Sequence, residues 1–158
     1  MSLLPKTDLT NHVKVAPACG QATAAGVAVV LTAAATEDNV KVTGQSIDRM
    51  GYQSCVLSLG CIATLAASET IAFAVEYQDS DDNSTWNTAV ALQASTVLLT
   101  DSGSGSNLHG SLEIALSLKA RARYIRFNVT PNMSASGTDT AVWYANAILA
   151  GPQKLPAA

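Results

Sequence analysis

The sequence predicts an all-β chain: an antiparallel two-sheet jelly-roll β-sandwich with an extended N-terminal arm. Three observations predict it. Arg123, Ile125, Phe127 and Val129 alternate with Tyr124, Arg126, Asn128 and Thr130, the period of two that marks a half-buried strand. Glu76, Tyr77 and Gln78 lead into the polar turn Asp79-Ser80-Asp81-Asp82-Asn83-Ser84-Thr85, which leaves on Trp86. From Asn39 onward, apolar alternations recur at short spacing between turn residues, with no convincing long helix. That rhythm is the signature of a sandwich.

The elements follow in order. Residues 1–35 hold two prolines and scattered small residues, with no sustained amphipathic period. They are expected to form an arm that gains order on a neighbour, although Val27 to Leu31 has the composition of one added strand. Val40 and Val42 alternate with Lys41 and Thr43 until Gly44. Tyr52 to Leu59 turns Cys55, Leu57 and Leu59 inward and is expected to end at Gly60. Ala63 to Ser68 has room for one helical turn. Ile71, Phe73, Val75 and Tyr77 share the next inward face, followed by two shorter strands, Trp86–Leu92 and Thr96–Thr100. Asp101 to Asn107 is a Gly/Ser loop. Ser111–Leu118 places Ile114, Leu116 and Leu118 together, Arg123–Thr130 is expected to stop at Pro131, and Thr140–Leu149 is the last strand. The implied division is an arm over 1–35, a sandwich over 36–150 and a tail over 151–158.

Composition narrows the function. Of 158 residues, 48% are apolar and only 13% charged, against about a quarter in ordinary soluble domains. A surface so poor in charge suits coverage by other subunits. Net charge is −3, which gives no global attraction to nucleic acid. The one basic cluster, Lys119, Arg121, Arg123 and Arg126, is expected at a subunit contact or a solvated edge. The N-terminus lacks a signal-peptide pattern, and the apolar run from Ala24 to Ala35 is too short to span a bilayer. Cys19, Cys55 and Cys61 are expected as free thiols made in a reducing cytosol, which leaves the sequons at Asn83, Asn128 and Asn132 without glycans.

Chemistry is sparse. Asp79, Asp81 and Asn83 have the alternate spacing of oxygen ligands that opens a calcium loop, but Ser84 and Val90 stand where the glycine and closing glutamate belong. An ordinary polar turn is the alternative. His12 and His109 are the only histidines. A nucleophilic set can be drawn from Ser106, His109 and Asp101, as any serine-rich chain permits, and no nucleophile elbow is present. Phosphate-loop and dinucleotide patterns are absent. Trp86 and Trp143 read as packing or interface aromatics, with a sugar platform as the alternative. The expectation is no enzyme activity, no cofactor and no metal.

Ile47 to Cys55, the strand and turn from Glu76 to Trp86, Ala122 to Thr130, and the small-residue strand and Gly-Pro close from Ala141 to Pro152 together resemble a group of small tailed-bacteriophage virion proteins. The resemblance spans about residues 44 to 152. It implies a relation to jelly-roll decoration, or cement, proteins that bind the outside of a capsid as trimers where capsomers meet. The implied partners are a major capsid protein and further copies of this chain, with no nucleic acid and no membrane. The implied location is the exterior of a virion made in a bacterial cytoplasm. The candidate interface residues are Val27, Val29, Leu31, Arg121, Arg123, Arg126 and Trp143, together with the loop at Asp101–Asn107. A tail or fibre component is the alternative within a particle. The same turn and Arg-Tyr-Ile-Arg strand also resemble discoidin-type carbohydrate-binding sandwiches, in which Trp86 or Tyr124 would meet the sugar.

Overall fold

Every second residue of β-strand runs such as Cys55–Cys61, Ile71–Tyr77, Ile125–Val129 and Ala141–Leu149 is apolar and buried, so the chain can bury those side chains only by closing two sheets on each other. The computed structural model describes residues 13–20, 31–32, 38–103, 107–134 and 139–152. Ten strands run through them: β1 (Val13–Gly20), β2 (Leu31–Thr32), β3 (Val42–Thr43), β4 (Ile47–Asp48), β5 (Tyr52–Thr64), β6 (Thr70–Ser80), β7 (Val90–Thr100), β8 (Asn107–Ser117), β9 (Tyr124–Met133) and β10 (Thr140–Pro152). One sheet has the order β1-β10-β5-β8, with β2 also on β10; the other has β3-β9-β6-β7, with β4 also on β9. All pairs are antiparallel.

The pairing is nested. β6 pairs β7, β5 pairs β8, β3 and β4 pair β9, and β1 pairs β10. The chain is therefore one long hairpin folded over on itself, with lateral pairs β10·β5 and β9·β6 completing the sheets. This is the jelly roll, and the expected fold class holds.

Between the sheets lie Cys55, Leu57, Leu59, Trp143 and Leu149 from one side and Ile71, Phe73, Val75, Ile125, Phe127 and Val129 from the other, all buried. Trp143 meets Phe73 edge to face, ring centroids 5.8 Å apart. Its neighbours on the inner face of β10 are Ala141, Ala145 and Ala147, small side chains that leave the indole its space. Placing Trp143 at an interface is thus corrected: its parity with Leu149 commits it to the core.

Several boundaries move. Val13–Gly20, expected within the arm, is an edge strand paired from Val13↔Ala150 to Gly20↔Tyr144, and Ala18 is fully buried. These eight residues belong to the sandwich. Of the strand expected at Val27 to Leu31, Leu31 and Thr32 pair with β10; Val27 and Val29 lie outside the described residues. β5 runs through Gly60 to Thr64, so the start of the segment expected as a helical turn is strand. Gly60 lies within the ladder opposite Tyr144, where a Cβ would fall 2.9 Å from the Tyr144 ring. β9 runs through Pro131. The Pro131 carbonyl accepts from Asn39 N–H at 3.0 Å, so its absent N–H faces the side away from β6 and no bond of that ladder is lost. Trp86–Leu92 and Thr96–Thr100 merge into one bulged strand, β7, and Trp86 lies before it. Arg123 also precedes its strand and is exposed, rather than sharing the inward face of Ile125. At the C-terminal end, β10 extends through Gly151 and Pro152.

The sheets are clasped at one corner. Gly44 N–H donates to Phe127 O at 2.8 Å and Gln45 N–H to Ala18 O at 2.9 Å, so adjacent residues bind opposite sheets. A Cβ on Gly44 would fall 2.2 Å from Ala18 O and 2.6 Å from Phe127 O, which is why glycine is required there.

Candidate functional site

The turn after β6 is organised by Asp82. Its Oδ1 accepts from Thr85 N–H at 2.7 Å, Ser84 N–H at 2.9 Å and the Ser80 hydroxyl at 3.0 Å. Those donors, the Thr85 and Ser84 amides first, hold its carboxyl well below the usual carboxylate range. Asn83 takes the left-handed conformation (φ 61°) that asparagine tolerates.

The three calcium candidates do not converge. Asp79 accepts from Asn87 Nδ2 at 2.8 Å and from Ala122 N–H at 3.2 Å. Asn83 accepts from the Ser46 hydroxyl, and Asp81 is exposed on the wall of a separate cleft. The spacing belongs to a polar turn in which Asp82 binds the local backbone and Asp79 bonds Asn87 and Ala122 instead. Among the described residues, no three His, Cys, Asp or Glu side chains gather as metal ligands.

The three arginines of the basic cluster are likewise engaged within the chain. The Arg126 guanidinium lies 4.2 Å from the Trp86 ring centroid, and its Nε donates to Gln78 Oε1 at 3.0 Å. Arg121 stands 4.8 Å from the centroid of Tyr77. Arg123 forms a 2.7 Å ion pair with Asp48 and lies 5.0 Å from the Tyr124 centroid; that hydrogen bond lowers the Asp48 pKa. Arg49, which the sequence pattern does not single out, donates to the carbonyls of Ala122 (2.9 Å), Tyr52 (3.4 Å) and Arg121, tying the β8–β9 loop to the start of β5. A structural arginine of this kind leaves no sequence signal beyond its type.

Arg49, Met50, Gly51, Asp81, Arg121 and Arg123 line a cleft of about 310 Å³. Its guanidinium groups serve carbonyls, a ring and Asp48, and its lining holds no serine, cysteine or histidine. His109 projects from the exposed face of β8 whereas Asp101 is buried; Ser106 and His12 lie outside the described residues. Burial pushes the thiols of Cys19 and Cys55 up to about 11 and that of Cys61 to about 12. At neutral pH they stay protonated and inert, and all three are free.

The outer face of the β1-β10-β5-β8 sheet carries few charges among the described residues. Register across the strands gives the rows Val15–Ile148–Val56–Ala115, Pro17–Asn146–Ser58–Glu113, Gly20–Tyr144–Gly60–Ser111 and Val142–Ile62–His109. Glu113 is the only carboxylate in those rows. Val15 is 62% exposed, Tyr144 58% and Ile62 48%, an apolar, charge-poor patch of the sort that marks an interaction site. Leu31 sits on β2 beside Ala141. No helix among the described residues is long and apolar enough to cross a membrane.

Solved structures with a similar fold include VP2 of infectious bursal disease virus in a subviral particle, at TM-score 0.53 and 11% identity over 99% of this chain and 38% of that one. A point mutant of the same VP2 in derived T=1 particles matches at TM-score 0.52 and 12% identity, over 99% and 37%. The T13 particle of that virus matches at 0.50 and 14%, over 98% and 37%. This chain spans less than two fifths of those chains, and at these identities the likeness concerns the fold. No protein-family model and no curated protein sequence matches the chain.

Proposed function

We propose that this chain is a structural virion protein, non-enzymatic, that binds the outside of a tailed-phage capsid as a decoration protein and assembles as a homotrimer. The observation that carries the reading is the charge-poor outer face of the β1-β10-β5-β8 sheet, on a fold similar to that of a viral particle protein. A protein that covers a lattice needs flat surface that gives up little hydration and little side-chain entropy on contact. Small and β-branched residues provide that here. Many weak, identical contacts on a shell then add as avidity. The trimer and the capsid partner rest on the resemblance of the strand and turn segments to phage virion proteins.

A carbohydrate-binding module has less support, because the Trp86 ring is covered on one side by Arg126 and Tyr124 is approached by Arg123. The deciding experiment is quantitative mass spectrometry of purified virions. The expected result is a near-integer ratio of this chain to the major capsid protein. A handful of copies would move it to the tail or a fibre, and absence from the particle would sink the virion role and return attention to glycans.

A further inference from the structure

A β-sandwich exposes four sheet edges, and folded proteins blunt them against unwanted pairing with lysine, proline, bulges or very short strands. Three of the four here are blunted. β1 carries Lys14 and Pro17 and shifts register between Pro17 and Cys19. β3 and β4 are two residues each. β7 shifts register at three places along β6. β8 is different. It pairs with β5 through eleven consecutive residues without a shift and contains no lysine, arginine or proline.

The polarity of that edge can be read from the ladder. Leu118 N–H donates to Gln53 O at 2.9 Å, one step beyond the pair Ser54↔Ser117. Antiparallel ladders alternate hydrogen-bonded and non-hydrogen-bonded pairs. The even residues of β8 therefore bond β5, and the N–H and C=O groups of Asn107, His109, Ser111, Glu113 and Ala115 face the side on which no described strand pairs with β8. Beside this edge the sandwich is incompletely sealed. Leu92, Leu98 and Leu99 of β7 and Leu108 and Leu112 of β8 are only partly buried, and a Cβ on Gly110 would meet Leu99 at 2.7 Å, so this leucine seam joins the two sheets.

We propose that the open edge of β8 pairs antiparallel with β8 of a second copy of this chain, about a two-fold axis at Ser111, joining two five-stranded sheets into one of ten. The occupant follows from self-complementarity. With the axis at Ser111, each Glu113 carboxylate stands opposite a His109 imidazole, Asn107 stands opposite Ala115, and the backbone groups of every opposed residue point toward the partner strand. An axis at Glu113 would oppose two carboxylates, and one at Leu112 would leave Glu113 facing serine. The same pairing brings the two leucine seams side by side and covers them. The contact does not depend on the particle role proposed above; where trimers form, it links one trimer to the next.

Cysteine at the axis tests the register. Opposed hydrogen-bonded residues have Cα atoms about 5.5 Å apart, within disulfide reach. Ser111→Cys should cross-link into a covalent dimer under mild oxidation, whereas Ser117→Cys, which has no partner in this register, should not. Ser111→Pro removes a donor that faces away from β5, so sedimentation equilibrium should show the assembled mass halved with the thermal melt unchanged. Glu113→Lys should weaken association tenfold or more, and the exchange Glu113→Lys with His109→Glu should restore it. A wild-type protein that stays a single copy at high concentration overturns the proposal. So does an assembly that Ser111→Pro leaves intact, or equal cross-linking at positions 111 and 117.

Discussion

Asp82 is exposed, yet it accepts three hydrogen bonds on one oxygen, so its importance depends on charge rather than burial. Its carboxyl is depressed in the folded protein. A depressed acid contributes stability above its ordinary, unfolded-state pKa, and that contribution is lost as pH falls through the folded value. Asp82→Ala is therefore expected to melt below the wild type at pH 7, with the gap closing below about pH 4. Thermal denaturation followed by circular dichroism at pH 7 and pH 2 measures it, and an equal gap at both would refute the assignment. The residue pattern marks this turn correctly but points to the wrong members of it: Asp79, Asp81 and Asn83 have ligand spacing, while the organising carboxylate is the one between them. Spacing describes which residues could converge; which oxygen meets the amides depends on turn dihedrals that a residue pattern does not encode. Trp143 was legible in principle, since Ala141, Ala145, Ala147 and Leu149 share its parity.

Among the strands, legibility tracks burial on one face. β5, β6, β8, β9 and β10 have one face in the core, so their period of two shows through. β7 does not, because each bulge flips the parity of the residues after it and splits its pattern in two. β1 is obscured by the register shift after Pro17, which breaks the alternation that Val13 and Val15 begin. Its membership in the sheet changes what truncation should do. Removing residues 1–12 leaves β1 and the Gln45–Ala18 hydrogen bond in place, and the melt should remain cooperative. Removing residues 1–20 deletes a whole edge strand and the buried Ala18, and should lower the melting midpoint by several degrees or more. Differential scanning calorimetry of the two truncations distinguishes them, and equal midpoints would show that β1 contributes nothing to the sandwich. The open edge of β8 could not be found from residues alone, since an edge is defined by the neighbour a strand lacks.

Across the complete fold, the nested hairpin makes distance along the chain the governing quantity. β1 pairs with β10, more than a hundred residues away, and contacts this non-local are slow to form. β10 lies between β1 and β5, so it is a central strand and also the last of the described strands to leave the ribosome. Until it emerges, β1 has no partner, one side of β5 stands unpaired, and the inner face carrying Leu57 and Leu59 lacks Trp143 beside it. Chains stalled on the ribosome before residue 140 should be as sensitive to protease as an unfolded chain, with resistance appearing abruptly once residues 140–152 are free of the exit tunnel; gradual protection strand by strand would contradict this. Until residues 140–152 emerge, then, neighbouring copies growing on the same messenger pass one another with strand edges and core faces bare, and the wait for one strand sets how long they do so.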